Sequence, residues 1–303
     1  MRKTLLFAAI TFGLAACSEQ APPPAPAAPA AAPAVVAEPA PAAPVAETFE
    51  ARLDRIIAGE HRSAENKARD AWRHPKETLM FGGIAPGQTV IEITPGGGWF
   101  TEVIAPLFNG QGTYIAAVND PTKASSDRAR EYHTQNNQKL RDKFAANVEL
   151  YGTPTIVEFD PKAPVFGAPG SADVVMTFRN VHNWAGGGAT DAMFKGFFDV
   201  LKPGGTLLVE EHRAKADDAR PLEELSKTGY LTQAFVIDTA TKAGFTLAAE
   251  SEINANPADT KDHPNGVWNL PPSLNVKEGD DAEKYKAIGE SDRMTLKFTK
   301  PVM

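Results

Sequence analysis

The chain has 303 residues, 42% hydrophobic and 23% charged, a globular composition with room for one large domain or two small ones. Its formal charge of −7, or −9 once Arg2 and Lys3 are set aside, makes it a poor sequence-independent nucleic-acid binder. The single cysteine, Cys17, excludes intrachain disulfides and thiolate-rich metal sites.

Residues 1–17 read as an export signal. Arg2 and Lys3 precede an apolar run from Leu5 to Leu14 that is too short for a permanent bilayer span. Leu14-Ala15-Ala16-Cys17 resembles a bacterial lipoprotein processing site. That resemblance implies an acylated Cys17 as membrane anchor, with Ser18 directing it to the outer membrane of a Gram-negative host. Residues 18–47 follow as a tether, with nine prolines and thirteen alanines between positions 21 and 46. Such composition builds no core and stays extended, at roughly 3 Å per residue. Residues 48–303 remain as one domain.

The domain opens on a helical lead-in, residues 48–81. Phe49, Leu53, Ile56 and Ile57 recur at helical spacing, Gly59 breaks the helix, and His74-Pro75 separates two more. Arg69, Asp70 and Arg73 read first as a solvated helix face and second as a lid. After the Pro86-Gly87 turn, Thr89–Ile93 is a short buried strand. A glycine cluster and a helix follow, then a strand over Tyr114–Val118, a long polar helix over Lys123–Ala146 and a third strand ending near Phe159-Asp160. Ala172–Phe178 is a strand, Asp191–Leu201 a helix and Thr206–Glu210 a strand. Nearly continuous apolar strands alternating with helices predict a parallel sheet covered on both faces. Alternation at Phe245, Leu247 and Ala249 and at Met294, Leu296 and Phe298 predicts half-exposed edge strands, the last antiparallel. Residues 254–291 are a polar insertion too long for a hairpin, of the kind that carries function at a ligand edge.

Val90-Ile91-Glu92-Ile93-Thr94-Pro95-Gly96-Gly97-Gly98 leads from a strand through glycines into a helix, which brings main-chain N–H groups close to a ligand. Trp99 and Phe100 stand where a phosphate-binding loop needs Lys and Ser or Thr. A dinucleotide fingerprint fits only partly, because Thr101 takes the place of its third glycine.

Glu92 through Gly98 resembles instead the acidic-x-Gly-x-Gly-x-Gly motif of class I S-adenosylmethionine-dependent methyltransferases. Gly112–Asp120, Ala172–Val175 and Leu201–Leu207 resemble that superfamily's second, fourth and fifth strand blocks. More narrowly, the glycine loop, Phe178–Trp184 and Glu211-His212-Arg213 look like a bacterial group of exported, predicted methyltransferases. The resemblance implies an α/β fold: a doubly wound, mainly parallel seven-stranded Rossmann-like sheet with an antiparallel edge strand. It also implies S-adenosylmethionine as cofactor, held by Glu92, Thr94, Gly96, Gly97, Gly98, one of Asn119 or Asp120, Asp160 and Phe178. Thr94 stands where glycine is usual, and a threonine resists positive φ.

Ligands bind beyond the carboxyl ends of the strands of such sheets. Arg179, Asn183, Trp184 and Arg213 are candidate substrate contacts there. His212 is the first candidate for general base, with Glu211 fixing its tautomer, and His182 the second. His182-Asn183-Trp184 is similar to the His-x-Trp that shapes the site in small-molecule O-methyltransferases. His61, His133 and His182 have no short metal-ligand spacing, so no metal is expected. The sequence supports a periplasmic, lipid-anchored methyltransferase acting on a small molecule. The alternative is an exported binding protein of the same fold without turnover, since S-adenosylmethionine is made in the cytosol. Oligomeric state is left open.

Overall fold

In the computed structural model, which describes residues 47–302 and the isolated Pro23, the apolar runs assemble into one seven-stranded sheet. The export signal, Cys17 and nearly all of the tether lie outside the described residues. Before the sheet come α1 (Phe49–Ala58), α2 (Ala64–Ala68), α3 (Asp70–Arg73) and α4 (Pro75–Gly82). The Thr48 hydroxyl caps α1 by accepting from the Ala51 N–H, and Gly59 ends it. Its apolar stripe buries Leu53 and Ile56.

The central strand, β1 (Thr89–Ile93), leads into α5 (Thr101–Phe108). Then follow β2 (Thr113–Asn119), α6 (Asp127–Ala146), α7 (Val148–Tyr151), β3 (Thr155–Phe159) and β4 (Ala172–Phe178). The long helix starts four residues later than predicted, because Asp120 caps a 3-10 turn at Pro121–Lys123 and Ser126 caps α6 itself. Next are α8 (Val181–Gly186), α9 (Thr190–Val200), β5 (Leu201–His212), α10 (Leu222–Lys227) and α11 (Gln233–Lys242). The chain closes with β6 (Thr246–Ser251), α12 (Ala282–Ile288) and β7 (Arg293–Thr299). The strand order is β3-β2-β1-β4-β5-β7-β6, with β1 to β5 parallel and β7 antiparallel to both its neighbours.

The sheet carries an apolar core on each face. Ile91 and Ile93 of β1 pack on the side of Phe194 and Phe197, while Val90 joins Val103, Leu107 and Phe108 on the other. Strand alternation therefore turns Glu92 toward the α5 side. There its Oε2 accepts from the Tyr114 hydroxyl at 2.6 Å and the Thr101 hydroxyl at 2.8 Å. Glu92 thus braces β1 against β2 and the start of α5. Among the described residues no helix is long and apolar enough to cross a membrane.

The lead-in departs from a solvated face. Asp70 forms a two-pronged pair with Arg62 at 2.6 and 2.7 Å, and Arg73 is buried against Glu290 of the 254–291 insertion. Lead-in and insertion are clasped together by charge, because each supplies one sign.

Burial pushes the Glu92 carboxyl up to about 7, against the pull of the Tyr114 and Thr101 hydrogen bonds. The folded chain then holds this proton more tightly than the unfolded chain does. Stability is greatest below the ordinary carboxyl value and falls as pH rises to 7, by about 3 kcal/mol. Glu92→Gln keeps an acceptor for both hydroxyls and carries no charge. Thermal melts from pH 5 to 8 should show a flatter profile and a melting temperature raised by several degrees at pH 8; an unchanged slope would refute this role.

Candidate active site

The strand-to-helix turn after β1 is held open by specific bonds. The Thr94 N–H donates to the Ala117 carbonyl at 2.7 Å, and the Asn180 side-chain amide donates to the Ile93 carbonyl at 3.1 Å. Thr94 consequently adopts φ +51°, contrary to the expectation that a threonine would avoid that region. A β-branched residue there carries a steric cost of about 1–2 kcal/mol, offset by the surrounding bonds. Its buried hydroxyl has no hydrogen-bond partner among the described residues.

Beyond this turn lies a cavity of about 530 Å³ lined by Thr94, Gly96, Asn119, Asp120 and Asp160, all five at or shortly after the carboxyl ends of β1, β2 and β3. A Cβ on Gly96 or Gly97 would meet nothing within 4 Å; of the two, Gly96 lines this cavity, where a side chain would fill space, and Gly97 does not. Gly98 differs: a Cβ there would face Thr101 and Lys143, and the residue turns the chain into α5 without lining the cavity. Glu92 does not line it either. Asp120 takes both Thr122 hydrogen bonds on Oδ1, which lower its pKa and leave Oδ2 without a partner among the described residues. Asn119 and Asp120 both face the cavity, so the geometry admits either for a diol. Tyr132, His133 and Trp268 also line it, and no sequence signal had marked them for a ligand site.

A second cavity of about 380 Å³ shares Thr94, Gly96, Asn180, Asn183 and Trp268 with the first. Arg179, His182 and His212 all reach it, as does Phe178. Phe178 lies face to face with Phe100, ring centroids 3.7 Å apart, and lines this cavity and not the first. Trp184 lines the first cavity, with its ring packed against Phe197 in the core. Arg213 does not join them. Its guanidinium is taken up by Glu252 and Asp292 at 2.6 to 3.0 Å, beside a separate small cavity near Gln233 and Lys261.

The two histidines differ in their partners. Successive strand residues point to opposite faces, so Glu211 cannot turn toward the His212 ring. Instead its Oε1 accepts from His182 Nδ1 at 3.0 Å and from the His212 main-chain N–H at 2.8 Å, while Oε2 accepts from the His182 main-chain N–H. An acceptor-only carboxylate fixes the His182 proton on Nδ1. His182 Nε2 then carries a lone pair, buried and without a hydrogen-bond partner among the described residues. His212 Nδ1 instead meets the Ser291 hydroxyl at 2.5 Å. Burial first, then the charges of Arg179, Arg293 and Arg73, push the His212 imidazole well below its usual range and keep it neutral.

His182, Glu211 and His212 also bring three metal-ligating atoms within 4.8 Å of one another, which sequence spacing did not show because they come from α8 and β5. Two features oppose a cation there. Both Glu211 oxygens already accept N–H groups, and the guanidiniums that depress His212 repel any second positive charge.

No protein-family model and no curated protein matches the chain. Solved structures do. A candidate methyltransferase from Bacillus halodurans C-125 superposes with TM-score 0.51 at 13% identity, over 76% of this chain and all of that one. A candidate sarcosine dimethylglycine methyltransferase from Galdieria sulphuraria gives 0.52 at 13%, over 78% and 86% of the two chains. The 4+2 cyclase SpnF gives 0.52 at 14%, over 84% and 93%. The chain therefore has the Rossmann-like methyltransferase fold, a fold that also serves a protein named as a cyclase.

Proposed function

We propose that the chain is an S-adenosylmethionine-dependent methyltransferase acting on a small hydroxylated molecule, with His182 as the general base. The observation that carries this reading is the pair of cavities sharing one wall, with an oriented imidazole on the second. In the first, Gly96, Asn119 or Asp120, and Asp160 would hold the nucleoside. When bound, S-adenosylmethionine supplies a methyl group on positively charged sulfur, which keeps the carbon–sulfur electron pair as the methyl leaves. An acceptor hydroxyl in the second cavity loses its proton to His182 Nε2 as its oxygen bonds to the methyl carbon. Glu211 stabilises the imidazolium that results, as the carboxylate of a triad does. Cavity walls at the shared edge bring acceptor and donor together, and proximity supplies much of the rate.

In this reading the domain is exported and tethered to the outer membrane through an acylated Cys17. Its support is the Leu14-Ala15-Ala16-Cys17 sequence and the Pro/Ala-rich segment behind it. Cys17→Ala should release the protein from the membrane fraction and remove lipid mass from the N-terminal peptide; unchanged fractionation with no lipid on the wild-type peptide would refute anchoring.

Calorimetric titration with S-adenosylmethionine and S-adenosylhomocysteine tests the cofactor. Saturable binding is expected for the wild type, and none for Gly96→Val, whose side chain would enter the cavity from a residue at φ +59°. A wild type that ignores both ligands at millimolar levels would leave a binding protein without this cofactor. For the base, His182→Asn should lower turnover about a hundredfold to ten-thousandfold on a panel of hydroxylated acceptors while cofactor affinity holds. His212→Asn should cost far less, because the His212 ring makes no contact with Glu211; the reverse order would move the base to His212.

A further inference from the structure

Four guanidinium groups gather beside the second cavity; Arg69, Arg73 and Arg179 line it, and Arg293 does not. Glu290 receives three of them: Arg69 Nε at 2.7 Å, Arg73 Nε at 2.8 Å and a terminal nitrogen of Arg293 at 2.7 Å. The fourth, Arg179, gives one terminal nitrogen to Glu210 at 2.6 Å. Three carboxylates stand against them, Glu210, Glu211 and Glu290, and Glu211 is already engaged by His182 and two main-chain N–H groups. One positive charge is in excess in a buried setting.

The unpaired donors point to where a counter-charge belongs. Arg73 is 5% exposed and hydrogen bonds through Nε alone, so its two terminal nitrogens have no partner among the described residues. Arg69 likewise uses only Nε, and Arg179 only one terminal nitrogen of its side chain. All three line the second cavity. None of these terminal nitrogens is sealed from the cavity, so an anion that enters it can accept from them.

S-adenosylmethionine does not supply the missing charge. Its ammonium and carboxylate cancel, and its sulfonium adds one more positive charge. With the cofactor reading above as the premise, we infer that the acceptor is an anion whose carboxylate or phosphate group is held by Arg69, Arg73 and Arg179. Planar guanidinium forks suit both groups. Anchoring the anion on these arginines directs the remainder of the acceptor along the cavity toward His182 Nε2.

The test is calorimetric titration of the full chain with inorganic phosphate at low ionic strength, with and without saturating S-adenosylhomocysteine. Saturable one-site binding is expected alongside bound S-adenosylhomocysteine. Arg69→Gln and Arg179→Gln should each weaken it roughly tenfold or more and leave S-adenosylhomocysteine affinity nearly unchanged. Arg69 is the more exposed of the pair, so its variant gives an answer even if Arg179→Gln fails to fold. No saturation at tens of millimolar, or equal binding in both variants, would overturn the inference. Competition between phosphate and S-adenosylhomocysteine would also overturn it, by assigning the arginines to the cofactor carboxylate. Arginine-dependent phosphate binding in a chain that ignores S-adenosylhomocysteine would keep the anion site and refute the cofactor reading alone.

Discussion

The Glu211 carboxylate is the interaction on which the site depends. It is fully buried at the carboxyl end of β5, and it accepts the main-chain N–H of His182 in the first turn of α8. A negative charge at that position complements the exposed N–H groups of the helix. The same carboxylate holds the His182 ring. One buried charge thereby sets the distance between β5 and α8, the tautomer of the imidazole and the direction of its free nitrogen. Removing it would leave two main-chain donors and a ring N–H without acceptors in a dry interior, a far larger loss than one hydrogen bond.

A second carboxylate organises the other wall. Burial alone would raise the Glu290 pKa, but Arg73, Arg293, Arg69 and Arg179 hold it down to about 2. It is therefore charged wherever the protein is folded near neutrality, and it fastens the lead-in helices to the insertion across the ligand edge. Burial first and the Arg179 charge next lower the Arg73 pKa well below normal, against the pull of Glu290. Cations so closely grouped repel one another until an anion joins them, which links the architecture of this wall to the chemistry of what it binds.

The strands were legible because a parallel strand buried on both faces is mostly apolar, as Thr89–Ile93, Ala172–Phe178 and the core of β5 are. That Gly96, Asn119, Asp120 and Asp160 would gather at one cavity was legible for a related reason: they sit at or just past strand ends, and strand ends can be counted from the pattern. Their division of labour was not. Gly98 and Glu92 belong to the same motif as Gly96, yet one turns the backbone and the other braces the sheet interior. Pairing of Glu211 with His212 failed on strand alternation, a rule already available in the sequence. Arg73 meeting Glu290, 217 residues apart, follows from no local pattern. Such contacts arise only when the sheet brings lead-in and insertion to the same edge.

Three non-glycine residues near that edge hold positive φ: His74 at +40°, Thr94 at +51° and Arg179 at +61°. Each is held by a short main-chain hydrogen bond, to Asp70, Ala117 and Glu210 respectively, at 2.7 to 2.8 Å. For Arg179 the same residue, Glu210, also takes the guanidinium, so backbone strain and side-chain direction are fixed together. Strain of this kind persists only where neighbours over-determine it. At Thr94 a glycine would relieve the strain but would remove the threonine side chain, with its hydroxyl, from a residue that lines both cavities. The chain thus tolerates about 1–2 kcal/mol of backbone cost in order to present a β-branched side chain at the shared wall. A wall held by these bonds would suit the alignment of donor and acceptor that the proposed methyl transfer requires.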